Sequence, residues 1–510
     1  LNGKYLSLLW IVSTVLLLST AQARVAFLVE PFEASEFRNA QRLEEVCAEP
    51  AASSFWCDRL DEELTLITTK GADLLFNQAG EVMAVFAKEQ NGLDYRRNYS
   101  IDQNQNLIPY RAAIPGGALL VDGNYQPPEA AVGTWERRSE TEVVGEFRYR
   151  VGELEVEKTV VVSYISHVFD VRLAVTRAEG AESETPIQYA FPGLGRQDRP
   201  VIKVGQGDNY TLNPLSQPVP APAYISLQSN NRNSGFAIVM RPHGQPPGLA
   251  ALPLPPDRIA LQRTVAAEEG SEAVFDLGIY AAPNELVRFY QEGYRELPGL
   301  FYPNLLGRLS VWILAVLMAI YGVVGNWGLS IIALTLLFRA LIWPLITTQT
   351  KSMVGMQQLQ PKLQALQKKY KDNREKLTQE TMKLYKEAGV NPAGGCLPIF
   401  AQMPLFIILW RIFSNFEFNE GFLWIPDLGL PDPTFILPIL YVGVMMASAF
   451  LMAKGNPQSL RLQIMINLVF VFFIIQFPAG VTLYWVVSML VQVLQHYLIQ
   501  RNYPAPATAS

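Results

Sequence analysis

The stretch Trp327-Gly-Leu-Ser-Ile-Ile-Ala-Leu-Thr-Leu-Leu-Phe-Arg-Ala-Leu-Ile-Trp-Pro-Leu345 is apolar throughout except for one charge, Arg339. A run of this length and hydropathy belongs in a membrane. Lipid cannot hydrogen-bond to backbone, so the run must cross as a helix. The charge constrains it further. A guanidinium keeps its proton, and at mid-bilayer it costs ~2.5–3.5 kcal/mol even on the insertion scale. With the span set at 326–346, Leu336 is the centre, and Arg339 lies ~4.5 Å from mid-depth at ~1.5 Å per residue. That is far for snorkelling. Arg339 therefore pairs with a buried carboxylate or faces a wet polar cavity inside the bilayer. No Asp or Glu occurs in any other expected span, which favours the cavity. Thr335, four positions earlier, shares the same helical face.

The 510 residues are half hydrophobic, which suits a large soluble domain joined to a bundle of membrane helices. There is no HExxH, Walker A loop, GxSxG elbow or paired CxxC, and no enzyme chemistry, metal or cofactor is expected. The histidines, His167, His243 and His496, are too scattered to be ligands. Of the three cysteines, Cys47 and Cys57 lie ten apart in a segment expected outside the cytoplasm. There they form a disulfide or remain two thiols. Cys396 opens a membrane helix as a small packing residue.

Residues 5–21 form an apolar run behind Lys4, and Ala21-Gln-Ala23 resembles a signal-peptidase site. Cleaved or kept as a first span, residues 1–23 direct the chain beyond them across the membrane. Residues 24–300 alternate in period two: Phe147, Tyr149, Val151; Leu154, Val156; Val160, Val162, Tyr164; Phe169, Val171, Leu173, Val175. This predicts antiparallel strands in one large β-sandwich or two stacked sheets. The Pro-rich stretches 214–222 and 242–256 read as loops or edges, and 284–296 as a closing helix.

Charge sets the topology. Residues 351–387 carry nine basic against four acidic residues, as a cytoplasmic loop should. Loop 414–433 holds Glu417, Glu420, Asp427 and Asp432 and no Lys or Arg, as an outer loop should. With the β domain outside, one span, 326–346, separates it from the basic loop if 301–325 lies in the interface. Residues 305–324 are very apolar for a surface helix, and spanning remains the other reading. Further spans are expected at 395–413, 434–453, 462–477 and 481–500. Six spans in all, counting the first, leave both ends and the tail 501–510 cytoplasmic.

The basic loop is itself patterned. Met356, Leu359, Leu363, Leu366 and Tyr370 step by three and four, as do Leu377, Thr381, Leu384 and Ala388. Residues 349–391 thus predict a helical hairpin with a coiled-coil-like seam. Its basic surface attracts anionic lipid or docks ribosomal RNA or a substrate.

Several motifs occur in order over residues 325–500. They are Gly325-Asn-Trp-Gly328, Arg339 within 335–344, and Met356-Gln-Gln-Leu-Gln-Pro361. Next come Tyr385 to Cys396, Gln402-Met-Pro404, Leu423-Trp-Ile-Pro-Asp-Leu428 with Asp432-Pro433, and Phe477-Pro-Ala-Gly480 with Leu483-Tyr-Trp485. These residues resemble the YidC/Oxa/Alb family of membrane protein insertases, most of all its Gram-negative form. The soluble domain matches by position and β character only.

The resemblance implies a polytopic α-helical protein of the bacterial inner membrane. A five-helix core with a cytoplasmic hairpin would be joined to a large periplasmic antiparallel β-sandwich. It implies insertion and folding of nascent membrane proteins, alone or beside the Sec translocon, through a hydrophilic groove. The groove is centred on Arg339 and Thr335, with Gln402, Met403, Tyr484 and Trp485 lining it or the slide beside it. Met and aromatic residues at helical spacing also serve as plain packing. The hairpin residues Met356, Leu359, Lys362, Leu363, Leu366, Tyr370 and Tyr385 would face substrate or ribosome. Trp424 reads as an interface anchor. Two features depart from the family. The tail lacks the basic cluster that many members direct to ribosomes, and Trp485 replaces a Tyr found in some relatives.

Two other readings compete. One is a solute or anion transporter using Arg339, although no inverted repeat is visible. The other is a membrane-anchored carbohydrate-binding β-sandwich protein, although no cluster of His and carboxylates is visible for chemistry.

Overall fold

The alternating apolar residues become the buried faces of three long paired strands, Glu142–Val151, Leu154–Ser163 and Val168–Arg177. A computed structural model describes residues 28–502 except 38–39, 49–53, 58, 88–98, 100–105, 179, 181–182, 196–199, 215, 230–234, 255–257, 302, 372, 389–396 and 454–472. The expected first segment, Cys396, most of the expected span 462–477 and the end of the tail lie outside the described residues. The chain divides into a β unit, residues 23–304 with 415–419, and a helical unit built from 305–414 and 420–510.

The β unit contains three sheets, and every described strand pair is antiparallel. The largest has nine strands, in the order Asn209–Leu212, Val201–Gln206, Tyr224–Gln228, Phe236–Pro242, Glu272–Pro283, Val168–Arg177, Leu154–Ser163, Glu142–Val151 and Glu129–Arg137. A six-stranded sheet includes Thr185–Phe191 and Arg258–Val265, and a four-stranded sheet runs from Leu28–Phe32 to Val82–Ala87. Phe76, Val160, Leu173, Tyr189, Leu261 and Phe275 from all three sheets share one core. Each such side chain contributes ~1.5–3 kcal/mol of burial.

The Pro-rich stretches differ in part from the loops or edges expected. Val219–Pro220 is an edge strand, but Ala250–Leu254, with Pro253, lies inside the six-stranded sheet between it and Arg258–Val265. The expected helix at 284–296 is broken. Leu286–Gln291 is helical, Gly293 turns left-handed (φ 73°), and Tyr294–Glu296 forms a single 3-10 turn. Cys47, at the end of helix Ala40–Ala48, is joined to Cys57 by a disulfide with its Cα atoms 5.2 Å apart.

Buried charge in this unit is paired. Arg59 Nη1 donates to Glu81 at 2.6 Å, and Asn77 donates to the same carboxylate at 2.8 Å. Lys158, 2% exposed, donates to the Gly80 carbonyl at 2.6 Å beneath the Tyr189 ring. Burial lowers its pKa to about 8.

Glu417, on the segment 415–419, is also buried in this unit. Lys70 lies 3.3 Å from its carboxylate, His167 3.4 Å and Arg288 3.8 Å. Gln291 accepts from Glu417 N at 2.9 Å and donates to Glu417 O at 2.8 Å. Burial opposes ionisation of Glu417. Lys70, then His167 and Arg288, outweigh it and hold the carboxyl well below the usual range.

The helical unit contains the helices Leu305–Val324, Trp327–Leu341, Trp343–Lys369, Arg374–Glu387, Leu397–Asn415, Ile436–Ala453 and Ala479–Asn502. Leu305–Val324 and Ala479–Ile499 are each long and apolar enough to cross a membrane, while Trp327–Leu341 and Ile436–Ala449 are shorter apolar helices. The helix expected over 326–346 breaks at Ile342 (φ −91°, ψ 3°), and a new one runs unbroken from Trp343 through the start of the expected hairpin. Pro344 explains the break. It lacks an N–H and sits without strain only in a helix's first turn.

Candidate functional site

Asn326 starts the helix that carries Arg339. Its side chain accepts from Leu329 N at 3.0 Å, satisfying one of the donors that a helix N-terminus leaves open. Gly325, at φ 67°, ends the preceding helix, and Tyr321 stacks on Trp327 with ring centroids 3.8 Å apart. The face that turns inward carries Ile331, Thr335 and Arg339, all buried. The Thr335 hydroxyl donates to the Ile331 carbonyl of its own helix at 2.7 Å. Arg339 is 8% exposed, and among the described residues its guanidinium has no hydrogen-bond or ion-pair partner.

The last helix supplies a polar group in its surroundings. Tyr484 is 4% exposed and lies within electrostatic range of Arg339. Gln402 donates its amide to the Tyr484 hydroxyl, so two of the expected lining residues meet directly. Met403 is half exposed. Trp485 packs among aromatic rings, stacked on Phe406 at 5.1 Å and edge-on to Phe477 at 5.3 Å, with Tyr441 at 5.9 Å. These contacts join it to rings on two other helices.

Two residues escaped the sequence reading. Ser488, buried beside Tyr484, and Gln495, which donates to Trp343 O at 3.2 Å and Thr347 Oγ1 at 3.0 Å, share a face of the last helix with Tyr484. The signal was available as polar residues four and then seven positions apart on one face of that helix.

The loop motifs close one end of the unit. A Cβ on Gly328 would collide with the Phe422 ring at 2.0 Å, so only glycine fits there. Asp432, 3% exposed, accepts from Thr434 N, Thr434 Oγ1 and Leu437 N, holding the start of helix Ile436–Ala453. Trp424 donates its indole N–H to the same carboxylate at 3.3 Å. Ala479 N and Gly480 N donate to Leu430 O and Leu428 O at 2.7 and 2.8 Å, tying in the last helix.

In the basic segment, Asn373 caps Arg374–Glu387 by accepting from Lys376 N at 3.0 Å. Leu359 and Leu363 are buried, Leu366, Tyr370 and Tyr385 half-buried, and Lys362 exposed. The Met356 side chain lies outside the described residues.

The family model of the 60Kd inner membrane protein matches residues 319–506. A membrane protein insertase YidC from Deinococcus radiodurans is 34% identical over 405 residues, 76% of this chain and 89% of that protein. One from Cellvibrio japonicus is 41% identical over 247 residues, 47% of this chain and 44% of the relative. A crystal structure of an active YidC insertase, with its first transmembrane domain resolved, shares the fold. Its TM-score is 0.54 at 20% identity, covering 84% of this chain and 91% of that one.

Proposed function

Because this chain belongs to the YidC family of membrane protein insertases, we propose that Arg339 and Thr335, with Tyr484 and Gln402, form the polar centre of the groove through which it works. The protein is an inner-membrane insertase and not an enzyme, and nascent membrane proteins are its substrates. The observation that carries the groove is a buried guanidinium with no described partner. A cation left so in lipid is costly, whereas in a wet recess it shortens the apolar barrier and attracts acidic segments. The substrate helix then gains by entering lipid, with the membrane potential as a second driving force.

In this reading Met403 and Trp485 border the slide for that helix, and the hairpin 349–391 receives substrate, anionic lipid or ribosome on the cytoplasmic side. The β domain expected over residues 24–300 faces the periplasm, and the Sec translocon is a partner for larger clients. The charge pattern of the loops supports six spans with both ends cytoplasmic. It also supports an interfacial place for 301–325, although Leu305–Val324 is long and apolar enough to cross.

The test is insertion of a small single-span protein into liposomes that contain only the full chain, scored by protease protection, with Arg339→Ala alongside. Protection without nucleotide that is lost in the variant is the expected result. A variant that inserts as well as the wild type overturns the groove.

A further inference from the structure

The helix that carries Arg339 and the long helix after it meet at one residue, Ile342. Pro344 has no N–H to give to Ala340 O, and Ile342 N donates to both Phe338 O and Ala340 O. A joint that is one rung short bends more easily than a continuous helix. The helix beyond it, Trp343–Lys369, has 27 residues. At ~1.5 Å per residue it is ~40 Å long, so a tilt of ~10° at its base carries its far end ~7 Å. The direction of the hairpin therefore depends on what holds the joint.

The last helix, Ala479–Asn502, packs against the helices on both sides of the joint. Its Gln495 is 1% exposed. The Gln495 Nε2 donates to Trp343 O at 3.2 Å and to Thr347 Oγ1 at 3.0 Å. The Thr347 hydroxyl in turn donates to Trp343 O at 2.8 Å. A carbonyl oxygen can only accept, so the NH2 of the amide must face Trp343 O. Both amide hydrogens thus end on the first turn beyond the joint. The amide oxygen is buried and has no hydrogen-bond partner among the described residues. A leucine of similar size would fill this space and leave no polar atom unsatisfied. The two bonds to the joint are what set Gln495 apart from a packing residue.

We propose that Gln495 is a positioning residue for insertion: by clamping Trp343 and Thr347 it fixes the angle between the hairpin and the core helices, and so holds the hairpin in the orientation that captures substrate. This rests on the reading of the hairpin as a receiver of substrate, and it does not involve Arg339. Without the clamp the hairpin spends time in orientations that capture nothing. Apparent affinity for substrate then falls with the competent fraction, while transfer of captured substrate is unchanged.

The full chain in lipid nanodiscs, with Cys396→Ser, is spin-labelled at Leu337→Cys and Lys371→Cys, both exposed positions. Cys47 and Cys57 are held in their disulfide and take no label. Double electron–electron resonance reads the distance between the labels. The unlabelled variants, in liposomes, are titrated with a small single-span substrate and scored by protease protection. Gln495→Leu is expected to broaden a narrow distance distribution and to raise the half-saturating substrate concentration about fivefold (~1 kcal/mol), with the plateau kept. Thr347→Val, which leaves Gln495 its bond to Trp343 O, is expected to move both readings the same way by less. A distribution that stays narrow in both variants overturns Gln495 as the clamp. One that broadens at unchanged half-saturation overturns its part in capture and, with it, the hairpin as receiver, so the two failures are read apart. A lowered plateau with unchanged distances would reduce Gln495 to a residue of the fold.

Discussion

The two units treat a buried cation in opposite ways. In the β unit, Arg59 meets Glu81, Lys158 meets a carbonyl, and Glu417 sits among Lys70, His167 and Arg288. In the helical unit, Arg339 is buried to a similar degree and has no described partner. A charge taken out of water costs several kcal/mol unless it is paired. The β unit therefore uses charge to hold its fold. In the helical unit Arg339 has no such partner among the described residues, at a cost to that unit's own stability.

The sharpest way to break this contrast is to remove a partner. Glu417→Ala leaves Lys70 and Arg288 facing each other around a void, and is expected to destabilise the β unit by ~3–5 kcal/mol. Thermal unfolding followed by near-ultraviolet circular dichroism reads the change, and an unchanged transition would mean the cluster is not structural. Replacing Cys47 and Cys57 together with Ser frees the loop they close. It should cost ~2–4 kcal/mol in the same assay and leave insertion intact, because the disulfide lies in the β unit alone.

The converse experiment supplies the partner that Arg339 lacks. Tyr484→Glu puts a carboxylate within its electrostatic range. Insertion should fall about tenfold, or ~1.4 kcal/mol, while the helical content is retained. Normal insertion in that variant would show that the free charge is not what matters.

The smallest effect is on pH. Burial, then Arg288, lowers the His167 pKa from its ordinary 6.5. Below that pH the unfolded chain binds the proton first, so stability is flat above about pH 6.5 and falls on acidification. Glu417 adds its own loss from about its ordinary pKa of 4.5 downward, where the unfolded chain takes up a proton that the folded carboxyl, held well below the usual range, does not. Unfolding temperatures from pH 7 to 5 should therefore decline in the wild type and less in His167→Gln. Parallel curves would remove His167 from the account.

Much of the β unit was legible because a strand writes its buried face into every second residue. Phe147, Tyr149, Val171 and Leu173 could be placed inward from spacing alone. The strand Ala250–Leu254 could not, because its Pro253 reads as a breaker and only the neighbouring Arg258–Val265 makes it a strand. Glu417 read as a solvent charge of an outer loop, and its three partners lie more than a hundred residues away in sequence. At the candidate site, Arg339 and Thr335 announce themselves by polarity within an apolar run. Trp485 carries no such mark, and its stacking on Phe406 depends on how three helices meet.

By itself the sequence determined that one guanidinium lies in an apolar helix, that a β-rich domain precedes it, and that a basic segment comes after it. These are local properties, set by residue type and spacing within a few turns or strands. The tertiary structure alone decided that Arg339 has no described partner, that Tyr484 and Gln402 meet beside it, and that Glu417 is held by three cations and bases. The physical reason is distance. Pairing and desolvation depend on which distant segments pack together, and a helix or strand pattern does not carry that information.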